Sequence, residues 1–231
     1  MNKIIILLAT SNQHKVKEML KILPGKTKSG KVLIYKTLAD FPGLPPIVED
    51  GKTLEDNAQI KALFGLTRTS LITLADDTGL MVDYLNGAPS VNSARYAYPD
   101  RCDNKANNEK LLKELSGVPD VKRTAHFKTV AALALPSCQL FFQEGKIDGR
   151  ILTDFKGSGG FGYDALFFVP KYKKTMAEMT EEEKNAVSHR GQAFRNISKY
   201  LVELQLTARV EFAVFGTNIL YIYMCINLRG I

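Results

Sequence analysis

The chain has 231 residues, 45% hydrophobic and 24% charged, with a formal net charge of +7. That length and balance fit one globular domain with a substantial core and exclude a wholly disordered chain. The basic surplus suits an anionic partner, but its residues are scattered. The densest cluster, Lys171, Lys173 and Lys174, is too short for a nucleic-acid patch.

Ile4 to Ala9 is an apolar run too short for a signal-peptide core, and it reads as a buried first strand. A helix follows over about Gln13 to Leu23, with Val16, Leu20 and Leu23 on one face and Pro24-Gly25 as its stop. Val32 to Tyr35 reads as a second strand, and Phe41 to Pro46 as a loop rich in turn residues. Thr53 caps a helix running to about Thr67, with Glu55 and Asp56 in a first turn whose dipole favours carboxylates. Leu71 to Ala75 reads as a strand that stops at Asp76-Asp77, and Met81 to Leu85 as another short strand before an Asn86-Gly87 turn.

Asn104 to Leu115 has helical character. Arg123 to Leu135 and Gln139 to Ile151 alternate as antiparallel strands do. Beyond a flexible loop at Gly157 to Gly162 come a strand at Ala165 to Val169 and helices at Thr180 to Ala186 and Gly191 to Leu206. Helices alternating with strands around an antiparallel middle predict an α/β fold with a mixed sheet. We assign residues 1–206 to this domain and 207–231 to an atypical apolar tail. The stretch Phe212 to Leu228 is interrupted by Gly216, Thr217, Asn218 and Asn227. It falls short of the roughly 18 clean apolar residues of a membrane span, so a packed strand or a poorly structured appendage is expected, and no membrane. Cys102, Cys138 and Cys225 are odd in number and lack CxxC spacing, which favours a reducing compartment, the cytoplasm, over a disulfide framework.

Four stretches could carry chemistry. Thr10-Ser11-Asn12-Gln13-His14-Lys15 joins a buried strand to a helix start, where free N–H groups and a lysine suit phosphate. No Walker sequence is present. Asp76-Asp77-Thr78-Gly79 sets two carboxylates side by side, which repel unless a cation or donors intervene. A hard ion such as Mg2+ is the natural partner. Glu49-Asp50 and Glu55-Asp56 add carboxylate upstream, and Lys61 lies on the same predicted helix as the latter pair. Gly157 to Asp164 packs four glycines into six residues and offers Phe161 and Tyr163 as flat faces for a base. Finally, Lys184 and Ser188-His189-Arg190 place cations and donors on a turn between two helices.

Together the stretches resemble the inosine triphosphate pyrophosphatase, or Ham1-like, family of noncanonical purine triphosphate pyrophosphatases. The resemblance runs from Ile4 to Leu204 through Thr10-Ser11-Asn12-x-x-Lys15, Val48 to Leu54, Asn57-Ala58-x-x-Lys61, Ala75 to Leu80, Gly87-Ala88-Pro89, Ser93 to Tyr96, Gly157 to Asp164 and Ser188 to Arg190. It implies an elongated fold around a long mixed sheet, two lobes about a nucleotide cleft, a homodimer and a Mg2+ requirement. The implied reaction cleaves ITP, dITP and XTP to monophosphate and pyrophosphate, without stable nucleic-acid binding.

Carried over by position, Asp77 resembles the catalytic acid/base and a metal ligand, with Glu49 and Asp76 as further metal-site acids. Lys15 and Lys61 resemble the lysines at the phosphates. Thr10, Ser11, Asn12, Gln13, His14 and Thr78 resemble nucleotide contacts. Phe161, Gly162, Tyr163, Asp164, Lys184, His189 and Arg190 resemble the base pocket. Donors such as Arg190 and His189 would favour a 6-oxo purine over adenine, because unpaired buried donors cost about 1–3 kcal/mol each. Two rival readings are a Maf-like pyrophosphatase of other base preference and a nucleotide- or nucleic-acid-binding protein without catalysis.

Overall fold

The structure, a computed structural model, describes residues 3–212 and 222–228. The first strand, β1 (Lys3–Leu8), runs through the core and is followed by α1 (Gln13–Ile22), β2 (Val32–Thr37), α2 (Leu54–Thr69) and β3 (Ile72–Val82). A short β4 (Pro89–Ser90), α3 (Asn104–Glu114) and the long pair β5 (Thr124–Ala134) and β6 (Leu140–Ile151) come next. The domain closes with β7 (Phe167–Val169), β8 (Lys174–Thr175), α4 (Glu181–Val187) and α5 (His189–Val202). Eight strands form one mixed sheet in the order β2-β1-β3-β5-β6-β7-β8, with β4 on the far half of β3. β1 pairs in parallel with β2 and β3, and the pairings from β3 onward are antiparallel.

One expectation is corrected here. The stretch read as two short strands separated by an acidic turn is a single strand of 11 residues. Asp76, Asp77, Thr78 and Gly79 each face a partner on β5: Ala131, Val130, Thr129 and Lys128. Two adjacent carboxylates tolerate a central strand because each meets an ammonium group there. Turn-like composition was therefore a misleading sign; tertiary charge pairing overrides it.

Strand alternation gives β3 two chemical faces. Leu74 joins a core with Ile6, Leu8, Met19, Phe194 and Ile197, beneath α1 and α5. Ala75 joins the opposite core with Leu54, Ala58 and Ala62 of α2, where small residues let helix and sheet approach closely. A third core, with Leu80, Leu111, Phe127 and Phe167, fills the other end of the sheet. These clusters make two lobes, and the cleft described below opens between them.

Among the described residues no helix is long and apolar enough to cross a membrane. The described part of the terminal segment forms β9 (Leu204–Phe212) and β10 (Ile222–Leu228), antiparallel to each other in a sheet of their own. The boundary drawn at residue 206 therefore falls inside β9, and the middle of the expected apolar stretch lies outside the described residues.

Candidate active site

At the carboxyl end of β1 the chain turns into α1, and Asn12 makes the turn. Its Oδ1 accepts from the amides of His14 at 3.0 Å and Lys15 at 3.2 Å, capping the helix. The positive end of α1 thus faces the mouth of a cleft of about 760 Å³. From the first turn Lys15 donates to Asp76 Oδ2 at 3.0 Å. Burial, only partly offset by the Asp76 carboxylate, leaves the Lys15 ammonium easier to deprotonate than a free lysine.

On the α2 face of β3, Lys61 Nζ donates at 2.7 Å to Asp77 Oδ1 and at 2.7 Å to Glu49 Oε2. Burial opposes the ammonium, but Asp77 and Glu49 outweigh it and hold Lys61 charged above its usual range. Asn57, one turn earlier on α2, donates from Nδ2 to Asp77 Oδ2 at 3.4 Å and accepts from the Gly51 amide at 2.8 Å. It ties the Glu49 loop to the same centre. α2 itself is fixed at its start by Thr53 and Asp56, each side chain bonded to the other's amide.

The opposite wall is built from long-range ion pairs. Asp164 Oδ2 accepts from the Phe161 amide at 2.8 Å and from Lys184 Nζ at 2.7 Å. Gly160 makes this loop possible: its φ is +71°, and an added Cβ would lie 2.1 Å from the Asp164 carboxylate. Lys184 also meets Glu18 Oε1 at 2.7 Å, whose Oε2 accepts from Arg190 Nη1 at 2.6 Å. Arg190 Nη2 reaches Thr78 Oγ1 at 3.1 Å and Asp76 Oδ2 at 3.4 Å. Burial opposes the guanidinium, and Asp76 and Glu18 outweigh it, so Arg190 stays charged. His189 stacks on Phe127 at 4.7 Å. Burial, followed by Arg190 and Lys184, keeps it well below its ordinary pKa and therefore neutral.

Of the side chains expected at a site, Thr10 to Lys15, Glu49, Lys61, Asp77, Thr78, Phe161 to Asp164, Lys184, His189 and Arg190 all line this cleft. Asp76 does not. It is 0% exposed, against 7% for Asp77, and points to the α1–α5 face, where it binds Lys15, Thr78 and Arg190 through Oδ2. The grouping of Asp77, Glu49 and Asp76 around one ion is corrected accordingly: adjacent strand residues face opposite ways. Arg190 was expected to offer its guanidinium to a base, yet most of those donors are engaged by Asp76, Glu18 and Thr78. Sequence reasoning missed Glu18, Asn57 and the wall formed by Phe41, Pro42, Leu44 and Pro45. A Lys15-x-x-Glu18 spacing was the available signal for Glu18, since it sets both on neighbouring turns.

Fold and cleft define a class: an α/β protein in which a capped strand–helix turn shares one cavity with a paired acid–ammonium centre. The comparisons narrow it. The chain belongs to the Ham1 family, whose model matches residues 6–200. It is 51% identical over 194 residues to a dITP/XTP pyrophosphatase of Elusimicrobium minutum (strain Pei191), covering 84% of this chain and 98% of that one. Among solved structures it is similar to a HAM1 protein from Coxiella burnetii, with TM-score 0.76 and 36% identity over 87% of this chain and 99% of that one. The Ham1 protein of Staphylococcus aureus is similar at TM-score 0.74 and 33% identity, over 85% of this chain and 97% of that one.

Proposed function

We propose that this protein hydrolyses noncanonical purine nucleoside triphosphates (ITP, dITP and XTP) to the monophosphate and pyrophosphate. The observation that carries the reading is the Asp77–Lys61 pair at 2.7 Å, in the same cleft as the capped start of α1. Membership of a family whose relatives are named dITP/XTP pyrophosphatases supports the choice of substrate.

Water attacks the α-phosphorus. Its oxygen forms the new P–O bond as the bond to the bridging oxygen breaks, and pyrophosphate leaves with that electron pair. Asp77 orients the water and takes its proton. Lys61 steadies Asp77 and faces the phosphates, while Thr10 to Lys15 and Thr78 receive the phosphate oxygens. Glu49 and Asp77 fit a hard divalent ion, because their oxygens already converge on one ammonium at 2.7 Å each. Those two carboxylates would hold Mg2+, which when bound would supply charge neutralisation at the phosphates.

At the base end, Phe161 offers its ring. The first turn of α5 leaves the His189 and Arg190 amides without a partner inside the helix, whereas Gly191's amide is met by Ser188 Oγ at 3.0 Å. Those donors match a 6-oxo purine and would face the amino group of adenine unpaired. The domain over residues 1–206, a homodimer and cytoplasmic action complete the reading; light scattering checks the dimer.

Pyrophosphate release is measured with Mg2+ on a panel of ITP, XTP, GTP, ATP and UTP. Turnover of ITP and XTP well above ATP and UTP is expected. Turnover of UTP alone would favour the Maf-like alternative, and binding without release would make the protein a nucleotide binder.

A further inference from the structure

Each lysine and each other arginine lining the cleft is tied to a carboxylate. Lys15 meets Asp76, and Lys61 meets Glu49 and Asp77. Lys184 meets Glu18 and Asp164, and Arg190 meets Glu18 and Asp76. That set holds four cations against five carboxylates, a formal charge of −1, which by itself repels a triphosphate. Arg95 stands apart. Among the described residues it has no acidic partner. Its one contact is Nη2 to the Glu49 carbonyl oxygen at 3.5 Å, the outer limit of a hydrogen bond.

The backbone that presents Arg95 is fixed far more firmly than its side chain. Ser93, Ala94 and Arg95 form a single tight turn. Ser93 Oγ accepts from the Leu80 amide at 2.8 Å and donates to the Ser90 carbonyl at 2.6 Å. Tyr163, from the glycine-rich loop, donates to the Ser93 carbonyl at 2.8 Å. Asn107 of α3 donates to the Ala94 carbonyl at 2.9 Å. Three parts of the fold therefore converge to hold a turn whose charged side chain lines the cleft beside the Glu49 loop. A guanidinium so placed offers a planar fork of donors, the geometry that phosphate oxygens accept in pairs.

We propose that Arg95 binds the β- and γ-phosphates of the substrate and holds the pyrophosphate as it departs. The assignment rests on the reading that a nucleoside triphosphate occupies the cleft. It separates two ends of one ligand: Arg95 senses the leaving group and is indifferent to the nucleoside monophosphate.

Isothermal titration with pyrophosphate and, separately, with IMP tests this in the presence of Mg2+ on wild type, Arg95→Ala and Arg95→Lys. Losing one charge-assisted contact should weaken pyrophosphate about tenfold in Arg95→Ala while IMP affinity stays within about twofold. Arg95→Lys should fall between, keeping the charge and losing the fork. A matched melting temperature shows that the turn survives, and Arg95→Gln replaces the alanine variant where it does not. Unchanged pyrophosphate affinity, or an equal loss for pyrophosphate and IMP, overturns the assignment. Wild type that binds pyrophosphate but leaves ITP intact would refute the enzymatic reading alone, because the titrations need no turnover.

Discussion

The two faces of β3 carry equal charge to different ends. On one face Asp76 is sealed from solvent between Lys15 and Arg190, cations from two helices. Burial pushes its carboxyl up, but Lys15 and Arg190 outweigh that and hold it far below the usual range. On the other face Asp77 meets Lys61 and opens onto the cleft. A buried charge surrounded by partners is costly to disturb and has no access to water, so it serves geometry. A carboxylate with a single ionic partner and a solvent path is open to water and ligands, so it is suited to chemistry. One peptide bond separates the two because a strand turns successive residues to opposite sides.

Substitution of the pair should separate these roles. Asp77→Asn is expected to lower ITP turnover by about a thousandfold, within the span of general-base catalysis, while the melting temperature stays near wild type. Asp76→Asn leaves Lys15 and Arg190 facing a neutral group, and should cost on the order of 3–5 kcal/mol of stability in denaturant titration. If the two variants exchanged these phenotypes, the division of labour between the faces would be wrong. A subtler break uses the backbone. A Cβ on Gly145 of β6 would lie 2.0 Å from the His189 carbonyl, so Gly145→Ala must push α5 off the sheet. Displacing the Ser188–Arg190 turn should raise KM for ITP by up to about a hundredfold, and a normal KM would show that the base end does not depend on that contact.

The smallest effect concerns Glu18. Burial raises its pKa, yet Arg190 and Lys184 outweigh this and hold it below the ordinary glutamate value. Folding thus favours its ionised form. The stability it contributes is complete above its unfolded value and is lost as pH falls through the lower, folded one. Melting curves taken from about pH 6 down to about pH 3 should fall less steeply in Glu18→Gln than in wild type; parallel curves would remove Glu18 from the acid response.

Much of this was legible in the chain, for physical reasons that differ by element. Helix α1 announces itself through the Val16 and Leu23 spacing, but Leu20, expected on the same face, is exposed, and Met19 takes its place in the core. The long pair β5–β6 follows from its alternation, and the structure keeps those limits to within a residue or so. The continuity of β3 was hidden because Asp-Asp-Thr-Gly has the composition of a turn and is neutralised only by residues far away in sequence. The last helix starts at His189, two residues before the expected Gly191, since Ser188 caps it and Gly191 sits comfortably in its first turn. The cleft's sequence motifs were visible as short runs, whereas Glu18 gains its meaning from Arg190, 172 positions away. Local periodicity can place a residue on a face, but it cannot say which distant charge will meet it.

The most direct trial of the whole account is to let the protein act on ITP in heavy-oxygen water and weigh the products by mass spectrometry. Attack at the α-phosphorus predicts labelled IMP with unlabelled pyrophosphate. Label in pyrophosphate, or the appearance of IDP and orthophosphate, would contradict it.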